Sequence, residues 1–140
     1  VHNRADIRDQ TDIRNTKLGI DFILGLRAVD GRWDLRDDYI QDNDRVDSSS
    51  PKLMQQIPDE SKKRNRYHHW FIAQEVEELC HSLGIDFGGL QHHSVNDGDD
   101  IYTLGYDEFI PPIVNAIQLC WKRIDDIEER LTKVEKQHQK

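Results

Sequence analysis

His68-His69, with Glu75, Glu77 and Glu78 downstream, brings together the donor types of a zinc or general acid–base site. Spacing argues against that use. Adjacent histidines on an extended strand point to opposite faces, and no HxH, HExxH or CxxC spacing accompanies them. His92-His93 repeats the arrangement without improving it. Cys80-His81 offers a thiol beside a base, but neighbours along a helix do not face each other. Asn96-Asp97-Gly98-Asp99-Asp100 has the carboxylate density of half a calcium loop and lacks the rest of the EF-hand spacing, so it reads as a turn. No glycine-rich phosphate loop occurs. Neither a metal nor a cofactor is expected, and a hydrolase built on His68, His69 and a carboxylate is the weakest of the readings considered.

The strongest pattern concerns assembly. Apolar residues fall at Ile110, Ile113, Ile117, Cys120, Ile124, Ile127, Leu131 and Val134, in alternating steps of three and four. With Ile110 at heptad position a, isoleucine fills a (Ile110, Ile117, Ile124) and also d (Ile113, Ile127), a choice that favours trimers or larger assemblies over dimers. Arg123 and Arg130 fall at g, Glu128 and Glu135 at the following e, as parallel neighbouring helices require. A single amphipathic helix folded back on its own domain is the simpler alternative. The strict a/d seam and matched flanking charges favour a parallel homotrimer with Ile113, Ile117, Cys120, Ile124, Ile127, Leu131 and Val134 at its interface.

Composition agrees. The 140 residues make one domain with at most an extended appendage, and 36% hydrophobic against 33% charged residues leaves little core material for a monomer. A net charge of −8 argues against nucleic acid and anionic membrane as partners. Cys80 and Cys120 make no disulfide framework and read as small buried hydrophobes in a reducing compartment. No apolar run is long enough to span a membrane, and no signal-peptide pattern is present. The initial Val1 suggests a fragment or processed product.

Along the chain, residues 1–17 are polar and carry an echo, Asp6-Ile7-Arg8-Asp9 followed by Asp12-Ile13-Arg14-Asn15, which predicts a pair of turns or a strand leading into a helix. Leu18–Leu26 has Leu18, Phe22, Ile23 and Leu26 on one face and predicts a short helix. Ala28–Trp33 starts a strand. From Asp34 to Arg66 the chain is acidic first (Asp34, Asp37, Asp38, Asp42, Asp44, Asp47), has a turn cluster at Ser48-Ser49-Ser50-Pro51, and is basic last (Lys62, Lys63, Arg64, Arg66). That predicts an arm whose ends pair if it folds back, against a solvated insertion. Tyr67–Ile72 is strand-like, and Ala73–Leu83 is a helix ended by Gly84. Ile85–Ser94 is short-stranded and Ile101–Tyr106 a strand. Asp107 is expected to cap the last helix, with Pro111 and Pro112 in its first turn and the regular seam starting at Ile113. The fold class expected is α+β: a body over 5–109 with an arm at about 34–66, and a coiled coil over 110–140.

Several of these stretches, in order, resemble the C-terminal intramolecular chaperone domain of bacteriophage tail fibres and tailspikes, the self-cleaving peptidase S74 family also seen in endosialidases. The resemblance runs through the Asp-Ile-Arg echo, Leu18-Gly19-Ile20-Asp21-Phe22-Ile23, Leu26-Arg27-Ala28-Val29 to Arg32-Trp33-Asp34, and Arg64-Asn65-Arg66-Tyr67-His68-His69. It continues through Ile72-Ala73-Gln74-Glu75-Val76, Gly84-Ile85-Asp86-Phe87-Gly88-Gly89, Tyr106-Asp107-Glu108 and the heptads. It implies a homotrimer behind a fibrous, usually β-helical, receptor-binding or carbohydrate-degrading domain of the same polypeptide. The module would register three chains during assembly in the host cytoplasm, then leave by autoproteolysis at its own N-terminus, so that it is absent from the mature virion. A trimerisation tip retained on the fibre is the alternative.

The family's cleavage motif is Ser-Asp-x-Arg-x-Lys, cut before a serine nucleophile with lysine as base; a lysine can serve when burial or nearby cations lower its pKa. Asp6 and Arg8 match the motif residues, which puts Ala5 at the serine position and Gln10 at the lysine position, with the scissile bond between Arg4 and Ala5. Neither side chain can do that chemistry, so the serine endopeptidase activity is expected to be disabled and residues 1–4 to be an uncut fibre junction. The register Thr11-Asp12-Ile13-Arg14 fits less well, because Thr16 takes the lysine position and Lys17 falls one residue late. Trp70, where relatives often have glycine, is a second departure, expected to pack against the arm or the upstream fibre.

Overall fold

The computed structural model describes residues 2–40, 53, 56–95 and 98–139. Its elements are α1 (Ile20–Gly25), β1 (Val29–Arg32), β2 (Tyr67–Trp70), α2 (Ala73–Leu83), β3 (Leu90–Val95), β4 (Gly98–Leu104) and α3 (Ile110–His138). Mixed helix and antiparallel sheet with a long C-terminal helix is what the sequence led one to expect; the acidic Asp42, Asp44 and Asp47, the turn at 48–51, and Asn96 and Asp97 lie outside the described residues.

The body is held by aromatic packing. Phe22 from α1, Phe87 from the loop after α2, and Phe109 just ahead of α3 are all buried, with ring centroids 4.7 to 6.0 Å apart. Val76 and Cys80 from α2 complete the core, and Leu18, Ile23, Leu26, Phe71, Leu79, Ile85, Leu90 and Leu104 pack around it. α2 presents Val76 and Cys80 one turn apart on the same face, and it ends at Gly84 with φ +64°, the left-handed conformation a helix stop uses. Burial of Cys80 pushes its thiol pKa up, helped by the Asp86 and Glu77 charges, so it stays protonated and unreactive.

β1 and β2 pair antiparallel, with Val29 opposite Trp70 and Arg32 opposite Tyr67. Trp70 lies against Gly31, where a Cβ would come within 2.6 Å of its ring, and meets Trp33 at a centroid distance of 4.5 Å. Trp70 thus packs within the body, at the root of the arm. That root is pinched shut as the opposite charges suggest. Arg64 pairs with Asp38 at 3.0 Å, its backbone N–H donates to the Trp33 carbonyl, and Lys62 donates to the Asp38 carbonyl. Asp34 accepts from the Tyr39 hydroxyl at 2.6 Å and from the Glu60 N–H at 2.9 Å.

Several boundaries differ from expectation. The first helix starts at Ile20, leaving Leu18 in the approach to it. No strand forms before it: Ile7–Asp9 makes a single 3₁₀ turn, and Asp12, in the second copy of the echo, sits at φ +52°. The two copies differ in conformation: the Asp6 carboxylate accepts the Arg8 N–H, whereas Asp12 takes a left-handed backbone. The strand expected from Ile85 begins at Leu90, after a loop occupied by the buried Phe87. Asp107 does not cap α3; a 3₁₀ turn at Tyr106–Phe109 leads in, and no side chain caps the helix. Pro111 and Pro112 do occupy its first turn, where a missing N–H is harmless.

Phe22 touches two of the other core rings, so Phe22→Ala is expected to destabilise the fold by about 3–5 kcal/mol, read as a lowered midpoint in chemical denaturation.

Candidate functional site

The helical face of α3 is where sequence and structure meet most directly. Pro112 and Ala116 are buried against the body and Leu119 is half-buried, while Asn115 donates to the Leu18 carbonyl at 2.9 Å. These residues occupy heptad positions c, f and g. The seam residues at a and d lie on another face, centred roughly 135° around the helix from these at 100° per residue. They are in solvent: Ile117 is 62% exposed and Ile127 59%, and Ile113, Ile124, Leu131 and Val134 are exposed as well. Cys120 is exposed too, which corrects the expectation of a buried thiol in the single chain. A d residue of a lone helix has nothing to bury it.

From Cys120 onward every described residue of α3 is exposed, so the last part of the helix projects from the body over roughly 28 Å. Such a segment draws no packing from its own body, whereas most helical stability in proteins comes from packing of an amphipathic face. Sequence reading missed Val114 and Trp121. Both are exposed and fall at position e, widening the apolar stripe from a/d to a/d/e in its first half. Inspection of the e positions in the heptad frame would have found them.

At the other end, the Asp6 carboxylate accepts the Arg8 N–H at 2.9 Å and the Arg8 guanidinium at 2.7 Å, closing the 3₁₀ turn. The Arg8 side chain, and after it the Arg8 backbone N–H, holds the Asp6 carboxyl below its usual range. Arg4 lies 3.8 Å from Asp9, and Ala5 and Gln10 flank the turn in full solvent. Residues from both ends meet here by a contact the sequence did not disclose: Asn3 donates to the Asp107 carboxylate at 2.6 Å. Asp107 therefore anchors the segment preceding Ala5 beside the start of α3. In the single chain nothing surrounds position 10, so a lysine there would need burial from neighbouring chains or an upstream domain to act as a base.

The histidines stay apart. His69 pairs with Asp30 on one face of the β1–β2 ribbon, while His68 stacks on Trp70, near Trp33, on the other. Glu75 faces neither; it forms a two-pronged ion pair with Arg27 at 2.7 Å for both contacts, linking the loop after α1 to the first turn of α2. Among the described residues no group of three or more histidine, cysteine or acidic side chains could hold a metal ion. No helix there is long and apolar enough to cross a membrane. An open cleft of about 520 Å³ lies beside Asp30, His69, Trp70 and Tyr106, and its lining holds no serine, threonine, cysteine or lysine. Comparisons with family models, curated proteins and solved structures find no match to this chain.

Arg27 holds the Glu75 carboxyl below its usual value, first through their hydrogen bonds. A depressed carboxylate stabilises the fold fully above its unfolded pKa of about 4.3, and this is lost as pH falls through the lower folded value. The melting-temperature gap between the wild-type chain and Glu75→Gln should stay constant from about pH 7 to 5 and close below about pH 4.

Proposed function

We propose that this chain is a trimeric C-terminal chaperone module of a phage tail fibre or tailspike, registering three copies of an upstream domain, with its self-cleavage disabled at Ala5 and Gln10. The observation that carries the reading is the a/d stripe of α3, left in water by a body that uses a different face of the same helix. Covering an isoleucine- or leucine-sized side chain contributes on the order of 1–3 kcal/mol, and the stripe holds a continuous run of them. Isoleucine at both a and d favours three or more strands over two, and Arg123–Glu128 and Arg130–Glu135 supply charge pairs that suit a parallel register.

The chemistry expected of such a module follows from what it assembles. Long intertwined trimers must align three chains before they wind together, and such non-local pairing is slow and prone to aggregation. A parallel clamp raises the local concentration and sets the alignment; cutting it away afterwards leaves a kinetically trapped product. Serine at position 5 would supply the attacking hydroxyl and lysine at position 10 the base; the turn closed by Asp6 and Arg8 separates these two positions. The anchoring of Asn3 on Asp107 supports a role for this end of the body in presenting the junction. With alanine and glutamine there instead, the trimer stays attached to its client.

Two experiments test this. A parallel in-register trimer puts every Cys120 in one layer, and three thiols can form one disulfide. Mild oxidation should give a covalent dimer that disappears in Cys120→Ser, with the buried Cys80 silent; no dimer at any concentration contradicts the reading. Separately, Ala5→Ser with Gln10→Lys, in a chain carrying a fibre domain ahead of Val1, should yield a product that starts at residue 5. Absence of that product contradicts the assignment of the two positions.

A further inference from the structure

The apolar stripe of α3 is wider than a coiled coil needs at its body end. Trp121 is 70% exposed at position e, one heptad ahead of Glu128 and two ahead of Glu135. In a parallel assembly each e residue lies beside the g residue of the preceding heptad on the neighbouring helix. The frame that sets Glu128 beside Arg123 and Glu135 beside Arg130 therefore sets Trp121 beside Ala116. At that one level, a large ring meets a small residue instead of acid meeting base.

Ala116 differs from Arg123 and Arg130 in a second way. It is only 5% exposed, because this part of α3 packs on its own body, chiefly on α1, whereas the other two g residues lie beyond the body. A ring arriving at that flank meets the line where α1 and α3 of the neighbour join. α1 itself carries an exposed leucine, Leu24. We propose, resting on the trimer reading above, that Trp121 of each chain packs on the α1–α3 junction of the next chain beside Ala116. This contact locks the three bodies in rotation around the coiled coil. The occupant of the Trp121 face is thus a second copy of this chain, and charge complementarity one heptad further along fixes which part of it. The helices alone would hold three chains together; Trp121 sets how the bodies, and the strands entering them, face one another.

A photo-reactive benzophenone side chain placed at position 121 tests this in the full chain. Irradiation should give a covalent dimer whose cross-link maps to residues 18–25 or 112–119 of the second chain. Cross-links confined to residues 120–139, or none, in a chain that still forms the Cys120 disulfide dimer would overturn the Trp121 contact while leaving the trimer intact. Loss of the Cys120 dimer in the otherwise wild-type chain would remove both. As an independent readout, the emission isolated by subtracting Trp121→Phe from wild type should be blue-shifted, and several-fold less accessible to acrylamide than in an Ile117→Asp/Ile124→Asp chain. Equal accessibility in the two overturns the contact.

Discussion

An apolar stripe in water gains stability when it is covered, and on α3 the body leaves it open. The c, f and g positions of the first turns attach the helix to the body: Pro112 and Ala116 are buried, and Asn115 bonds the segment leading into α1. The a, d and e positions face away, and beyond Leu119 there is no body at all. Nearly everything else about the chain follows from this division. The aromatic core of Phe22, Phe87 and Phe109 fixes the root of α3, since Phe109 immediately precedes the helix. The direction of the stripe is therefore set by the body, and whatever covers it also positions the body.

The N-terminal segment of the chain converges on that root. Asn3 hydrogen-bonds Asp107 just before α3, and Asn115 in the helix holds the Thr16–Leu18 segment that leads into α1. In the proposed reading, a client domain ahead of Val1 would thus enter beside the helix proposed to gather the chains. In the proposed module, that proximity couples the clamp to the junction it would be cut from. The two described ends of the 34–66 segment are joined to each other by Asp34, Asp38, Tyr39, Lys62 and Arg64.

Periodicity and charge made much of this legible. The boundaries of α2 and its Gly84 stop, the seam of α3, the pairing of opposite charges at the arm's root and the opposed faces of His68 and His69 all follow from local rules that hold wherever the segment sits. What stayed hidden depends on contacts between distant residues. Asp107 was expected to cap because aspartate before a helix commonly does, but Asn3 engages its carboxylate from across the sequence, and a 3₁₀ turn displaces the helix start to Ile110. The body-facing stripe was hidden because alanine, asparagine and proline do not register as apolar periodicity. Phe87 in a loop, and Trp70 against Gly31, are core contacts made by tertiary approach, which no repeat in the sequence announces.

Sedimentation equilibrium of the intact chain tests the central claim most directly. The account predicts a single species of three times the 16.5 kDa chain mass across the micromolar range. A mass of one chain at every concentration would mean that the exposed stripe of α3 is not covered by its own copies, and would contradict the account.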